Sequence, residues 1–298
     1  MSTLALRPRP ASEIVDAAFQ LYRRHFSQLV TLSAAVFAPY VLIQLLVTGG
    51  QPIDEEVAVA GTVALVLGAW LFGSLAEACI VVAVSNSYLR NDPDVGGSLR
   101  QTLRRFGRVL LAVSAKWFVI GFVSVVPVMI AAVVAAIVVA GTGGVGDGQS
   151  PAAMIAMVGV FGLTMLVLGL PLLLYFFGAY FAVPATVVLE GLGVIAGLKR
   201  SSALSKGHKW KVYGALGIPL VIFQLLQLVI TLVTRGLPIP AVLAFVMEQG
   251  VTIVGYPIIA VIATLLYYDA RIRKEGFDLE MMAAELGTPI RLDVAPQE

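Results

Sequence analysis

Charge is scarce in this chain. Only 13% of its 298 residues are Asp, Glu, Lys or Arg, whereas 59% are hydrophobic, and the mean hydropathy is +0.92. That balance excludes a disordered polymer and an ordinary soluble domain. A net charge of +2 is too small to point to a nucleic-acid partner, and none is expected. Histidine is almost absent. His25 and His208 are far apart and lack a carboxylate or cysteine companion at ligand spacing, so neither a metal site nor a cofactor is expected. No serine–histidine–aspartate grouping suggests a hydrolase. The single cysteine, Cys79, sits in an apolar stretch, which excludes an internal disulfide and suits a small packing residue. The opening MSTLALRPRPASEI lacks an apolar h-region, so the first span is expected to be its own insertion signal. The glycine-rich stretch 141–151, GTGGVGDGQSP, lacks the Gly-Lys-Ser/Thr of a phosphate-binding loop and reads as a polar linker.

Long apolar runs dominate what is present. Several exceed about 20 residues, longer than a soluble core helix that is apolar all round. Glycines and prolines lie scattered inside them, as membrane helices tolerate. The reading is an all-α polytopic membrane domain over 1–298, with six transmembrane helices at about 27–48, 57–85, 109–139, 152–189, 212–234 and 243–268, then a cytoplasmic tail at 269–298. Pro39 and Pro127 mark kinks, and Tyr256-Pro257 marks a bend. The stretch 152–189 is ambiguous. As one straight helix it would reach about 57 Å, far beyond a hydrocarbon core of roughly 30 Å. It is either two spans hinged at Pro171 or one kinked span running into the interface.

The distribution of basic residues decides between them. Arg7, Arg9, Arg23 and Arg24 precede span one. Arg90, Arg100, Arg104, Arg105 and Arg108 lie between spans two and three. Lys199, Arg200, Lys206, Lys209 and Lys211 lie between spans four and five, and Arg271, Arg273, Lys274 and Arg291 follow span six. With one span in 152–189, every cluster falls on one side, both termini are cytoplasmic, and the acidic residues Asp54, Glu55 and Glu56 face out. The expected location is a bacterial cytoplasmic membrane.

Three basic segments, 11–26, 95–107 and 193–207, each launch a span, and all three read as amphipathic interfacial helices. In the second, Val95, Leu99, Leu103, Phe106 and Leu110 share a face opposite the arginines. In the third, Val194, Ile195 and Leu198 fall with Ser201, Ser202 and Ser205. The pattern of basic helix, span, loop, span recurs three times, and one reading of it is a pseudo-threefold repeat of helix hairpins. The basic helices would bind anionic lipid headgroups, or alternatively recruit a protein at the cytoplasmic face.

Glu77 is the outstanding candidate. It lies nine residues before Asn86, so roughly 13 Å inside the membrane, where an unpaired carboxylate is expensive. Lys116 enters span three from the same side at comparable depth. A Glu77–Lys116 pair is expected, either as a packing device or as a coupling group. Asp269 and Glu275 bracket Arg271, Arg273 and Lys274, and Glu190 faces the basic linker in the same way; these read as exit-point ion pairs.

The ending TLLYYDARIRKEGFDLE (264–280), the linker LKRSSALSKGHKWKVYG (198–214) and the opening ASEIVDAAFQLYRRHFSQLV resemble a group of bacterial six-span proteins. Their label is the membrane domain of glycerophosphoryl diester phosphodiesterase. The label implies a neighbouring catalytic barrel bearing glutamates, histidines and a divalent cation. The spans leave no room for such a barrel, so no catalytic residue carries over. Three functions remain open. The first is a non-enzymatic membrane scaffold tied to envelope lipids. The second is a small transporter or channel with Glu77 and Lys116 near its route. The third, a membrane-embedded lipid enzyme, lacks the acidic or histidine cluster it needs. A polar cavity reaching mid-membrane would favour transport, and a close-packed interior would favour the scaffold.

Overall fold

The computed structural model describes residues 7–48, 59–90, 95–141 and 151–279. The acidic loop at 54–56, the turn at 91–94, the linker at 142–150 and the tail beyond 279, with Arg291, lie outside them. Eleven α-helices and no strand occur among the described residues. Six helical stretches are long and apolar enough to cross a membrane, and the chain is an all-helical, multi-pass membrane protein.

Helices α1 (Ala11–Arg24) and α2 (Phe26–Thr48) are joined at His25, whose φ of −114° and ψ of 27° bend the chain between them. The apolar face of α1, which the sequence offers to a membrane interface, is covered by protein. Ile14, Ala18 and Leu21 are buried in the core shared with α11 (Ala241–Glu275). The backbone N–H of Arg9 donates to Asp269, and the Tyr22 hydroxyl donates to the carbonyl of Val254. Those acceptors are fifteen residues, or about 22 Å, apart along α11. Thus α1 runs alongside the last span in the opposite direction.

Helix α3 (Val59–Arg90) pairs with α2 and delivers its second half to the core. Helix α4 (Val95–Gly141) spans 47 residues, or about 70 Å. The basic segment 95–107 is therefore not a separate interfacial helix. No proline or capping residue separates it from span three, and Gly107 alone does not end a helix.

The stretch 152–189 is one span with two interruptions. Helix α5 (Pro151–Thr164) widens into a π turn at Met165–Gly169 and continues as α6 (Leu170–Ala179). The chain then breaks at 180–182 and resumes as α7 (Val183–Val188). After α8 (Val194–Ser205) and the single turn α9 (Lys209–Val212), a second π turn at Tyr213–Gly217 leads into α10 (Ile218–Gly236). Both π turns end within the same kind of sequence, Leu168-Gly169-Leu170-Pro171 and Leu216-Gly217-Ile218-Pro219. Proline has no N–H to donate and its ring crowds the carbonyl four residues earlier; one wider turn relieves both. Helices α2, α4 and α11 instead carry Pro39, Pro127 and Pro257 without losing their α assignment.

Burial is uneven. In their most apolar stretches, half of α3 and of α11 is buried inside the protein, against 6% in the fourth and fifth spans. The π-containing spans are peripheral: α5 packs along α4, and α10 along α11. They meet where the Tyr213 ring lies on Gly178, a position at which a Cβ would come within 2.7 Å of that ring. The Tyr213 hydroxyl also donates to the Leu174 carbonyl at 2.8 Å.

Candidate functional site

A cavity of about 350 Å³ lies between α3, α4, α6, α10 and α11. Trp70, Gly73, Ser74 and Glu77 line it from α3, and Lys116, Trp117 and Ile120 from α4. Phe177 and Tyr180 close one side; Leu216, Leu220 and Tyr256 close another. Glu77 and Lys116 share a wall because α3 and α4 run against each other and both residues lie at the same depth. Their charged atoms approach to 3.5 Å, with 21% and 9% of the two side chains exposed. The Lys116 ammonium also lies 5.4 Å from the centre of the Trp117 ring. Neither head group makes a hydrogen bond to any described residue, although an ammonium has three donors and a carboxylate several acceptor sites. By contrast, Tyr256 donates its hydroxyl proton to the Gly73 carbonyl, and Ser74 donates its own to Trp70. The cavity therefore presents one acid and one base without a hydrogen-bond partner among the described residues, between aromatic and aliphatic walls.

A second constellation sits at one end of the bundle, where the N-terminal basic segment and the basic linker after span four converge on α11. Asp269 is the hub of its first half. It accepts from the backbone N–H of Arg9 at 2.8 Å, from Arg273 at 3.0 Å and from Lys211. Lys211 and Arg273 also donate to the Arg9 carbonyl, which fixes the chain entering α1. The sequence reads this as a surface pair, yet Asp269 is only 5% exposed. In the second half, Glu190 accepts from Arg200 at 2.9 Å and from the Tyr267 hydroxyl at 2.7 Å. Arg200 and Arg271 both donate to Glu275. Burial opposes the Arg200 charge, but its hydrogen bonds to Glu275 and Glu190 outweigh that and raise its pKa above an already high ordinary value. Lys274 reaches across to the Ala203 carbonyl of α8. Gly276, at φ 63°, ends α11 in a left-handed turn that folds Phe277 back onto Tyr268 and under the Arg271 guanidinium. The ending ARIRKEGF is thus a clasp.

The same end satisfies the broken span. Ser201 donates to the Ala179 carbonyl at 2.9 Å and accepts from the Ala182 N–H at 3.1 Å, bridging the break. Arg105 donates to the Val188 carbonyl at 2.7 Å, at the end of α7, and Thr186 donates to the Gly197 carbonyl. Non-helical backbone survives near a membrane only where protein groups replace its lost bonds.

Other basic candidates stay outside both constellations. Arg23 and Arg24 are exposed on α1, next to Tyr22. Arg100 and Arg104 are exposed on α4, and Lys199 and Lys206 on or just after α8. The apolar stripe assigned to 95–107 is divided, with Leu99 packed against the core and Leu103 exposed. Leu103 is 52% exposed while Ser98 and Thr102 are fully buried. Likewise Ile195 is 69% exposed while Ser201 and Ser205 are buried. Sequence reasoning also passes over Glu248, an acidic residue inside the last span that accepts from Thr234 at 3.0 Å. Four residues on, Thr252 accepts from Gln227 at 2.7 Å, so a polar seam ties α10 to α11. The signal was available, since a carboxylate in an apolar run needs a partner.

Fold and site together define a six-span helical membrane protein with a charged cavity between its helices. No protein-family model, no curated protein and no solved structure matches the chain. The resemblance to the membrane domain of glycerophosphoryl diester phosphodiesterase gains no support from these comparisons. Among the described residues no group of three metal-ligating side chains comes together.

Proposed function

We propose that the protein is a small membrane transporter or channel whose route passes through the cavity beside Glu77 and Lys116. The observation that carries this reading is the pair itself: an acid and a base 3.5 Å apart, not hydrogen-bonded to each other, facing open space inside the bundle. A pair serving only to fix packing would be expected to be closed and fully bonded, because unspent charge in an apolar interior is costly. By the positive-inside rule the clasp end faces the cytoplasm of a bacterial cell, with both termini, and the exposed arginines and lysines there meet anionic headgroups. A scaffold tied to envelope lipids is the second reading, supported by the bonding of the clasp rather than by the cavity.

The test is accessibility. Gly73 lines the cavity, and a Cβ added there would meet nothing within 4 Å. In a Cys79→Ala background, Gly73→Cys should react with a membrane-impermeant thiosulfonate in sealed vesicles. The exposed Arg104→Cys serves as the positive control. Reaction at position 104 with none at 73 would leave the scaffold as the function.

A further inference from the structure

We infer that the cavity binds a small zwitterion, its cationic group on Glu77 and its anionic group on Lys116. This rests on the reading of the cavity as a solute route and names the chemical class it takes. The inference follows from charge balance. The pair is neutral by itself because the two opposite charges face each other. A monovalent anion would engage Lys116 and leave Glu77 uncompensated, and a monovalent cation would do the reverse. Either outcome strands a charge in a low-dielectric interior. An uncharged apolar solute would leave both head groups with their polar capacity unspent. A zwitterion can part the pair and satisfy both partners while the net charge stays zero. The separation of 3.5 Å, outside good hydrogen-bonding geometry, means that little direct bonding is lost when the pair opens.

The walls agree with that class. Trp70, Trp117, Phe177 and Tyr256 offer apolar faces to a short hydrocarbon body, and aromatic faces also favour a nearby ammonium group. At about 350 Å³ the volume lies at the lower end of the range of small-molecule sites, which is about 300–1,000 Å³. Two sources can present this chemistry: a free amino-acid-like zwitterion from the aqueous phase, or the phosphoethanolamine headgroup of a membrane lipid.

Tryptophan fluorescence of the purified full-length protein in maltoside micelles reads the site directly. Two of the three tryptophans, Trp70 and Trp117, line the cavity, and the third, Trp210, is 86% exposed on α9. Leucine is titrated against its two half-analogues, 4-methylpentanoate and isopentylamine. Separately, micelles doped with phosphatidylethanolamine are compared with micelles doped with phosphatidylglycerol. The expected result is a saturable change with leucine, with phosphatidylethanolamine or with both, and none with the single-charge compounds. Glu77→Gln and Lys116→Gln should each raise the half-saturation concentration by about tenfold or more. A response to leucine alone assigns the free solute, and a response to phosphatidylethanolamine alone assigns the headgroup. No saturable response to either zwitterion, or an equal response to a half-analogue, overturns the proposal on the unaltered protein, whether or not the variants fold. Thiol labelling at position 73 is independent of this readout. Labelling without a zwitterion response keeps the route and removes the ligand class.

Discussion

The clasp and the cavity both contain acids and bases drawn from several helices, yet they handle them in opposite ways. At the clasp every carboxylate is saturated: Asp269 accepts from Arg9, Lys211 and Arg273, and Glu190 and Glu275 share Arg200. In the cavity the acid and the base lie 3.5 Å apart, and neither head group makes a hydrogen bond to another described residue. The helices differ in parallel. The clasp joins α1, α8 and α11 into a buried core, while the most apolar stretches of the π-containing spans beside the cavity are only 6% buried. A saturated network resists change because removing one member leaves the others uncompensated. An unsaturated pair tolerates change and can exchange partners. The bonded charges are thus concentrated at one end, and the pair proposed to bind a solute lies in the less constrained middle.

The sharpest way to break this contrast is at Asp269. Replacing it with alanine leaves Lys211, Arg273 and the Arg9 N–H without their common acceptor at a site where the carboxylate is 7% exposed. The expected loss is about 3–5 kcal/mol, read as a large fall in the thermal unfolding midpoint in maltoside. A smaller effect is expected at the break in the fourth span. Ser201→Ala removes both bonds that bridge Ala179 and Ala182, and should cost about 1–3 kcal/mol while leaving the clasp intact.

The number and order of spans were legible in the sequence because span length and apolarity are set by bilayer thickness. The one-span solution for 152–189 was legible too, because it alone puts every basic cluster on one side of the membrane. Which face of each helix turns inward was not. Helical spacing groups Ile195 with Ser201 and Ser205, and Leu103 with Leu99. Yet Ile195 and Leu103 are exposed while Ser201 and Ser205 are buried and Leu99 packs on the core, so each stripe is divided between protein and surroundings. In lipid the apolar side chain loses nothing by facing out, and the small hydroxyl groups are needed inside to bond the backbone of a broken span. The two π turns were half legible. Their repeated Leu-Gly-Leu/Ile-Pro pattern points to disturbed helix, but proline alone does not dictate a π turn, as Pro39, Pro127 and Pro257 demonstrate. Glu77 and Lys116 stood out because charge is so rare in the spans. Their shared cavity depends on α6, α10 and α11, which spacing within α3 and α4 does not reveal.

The division of labour between clasp and cavity is tested most directly by the unfolding midpoint of the double variant Glu77→Gln/Lys116→Gln. Removing both charges together leaves neither uncompensated, and the clasp is untouched. The expected result is a stability within about 1 kcal/mol of the unaltered protein. A loss as large as that of Asp269→Ala would contradict the account and make the cavity pair a structural bond.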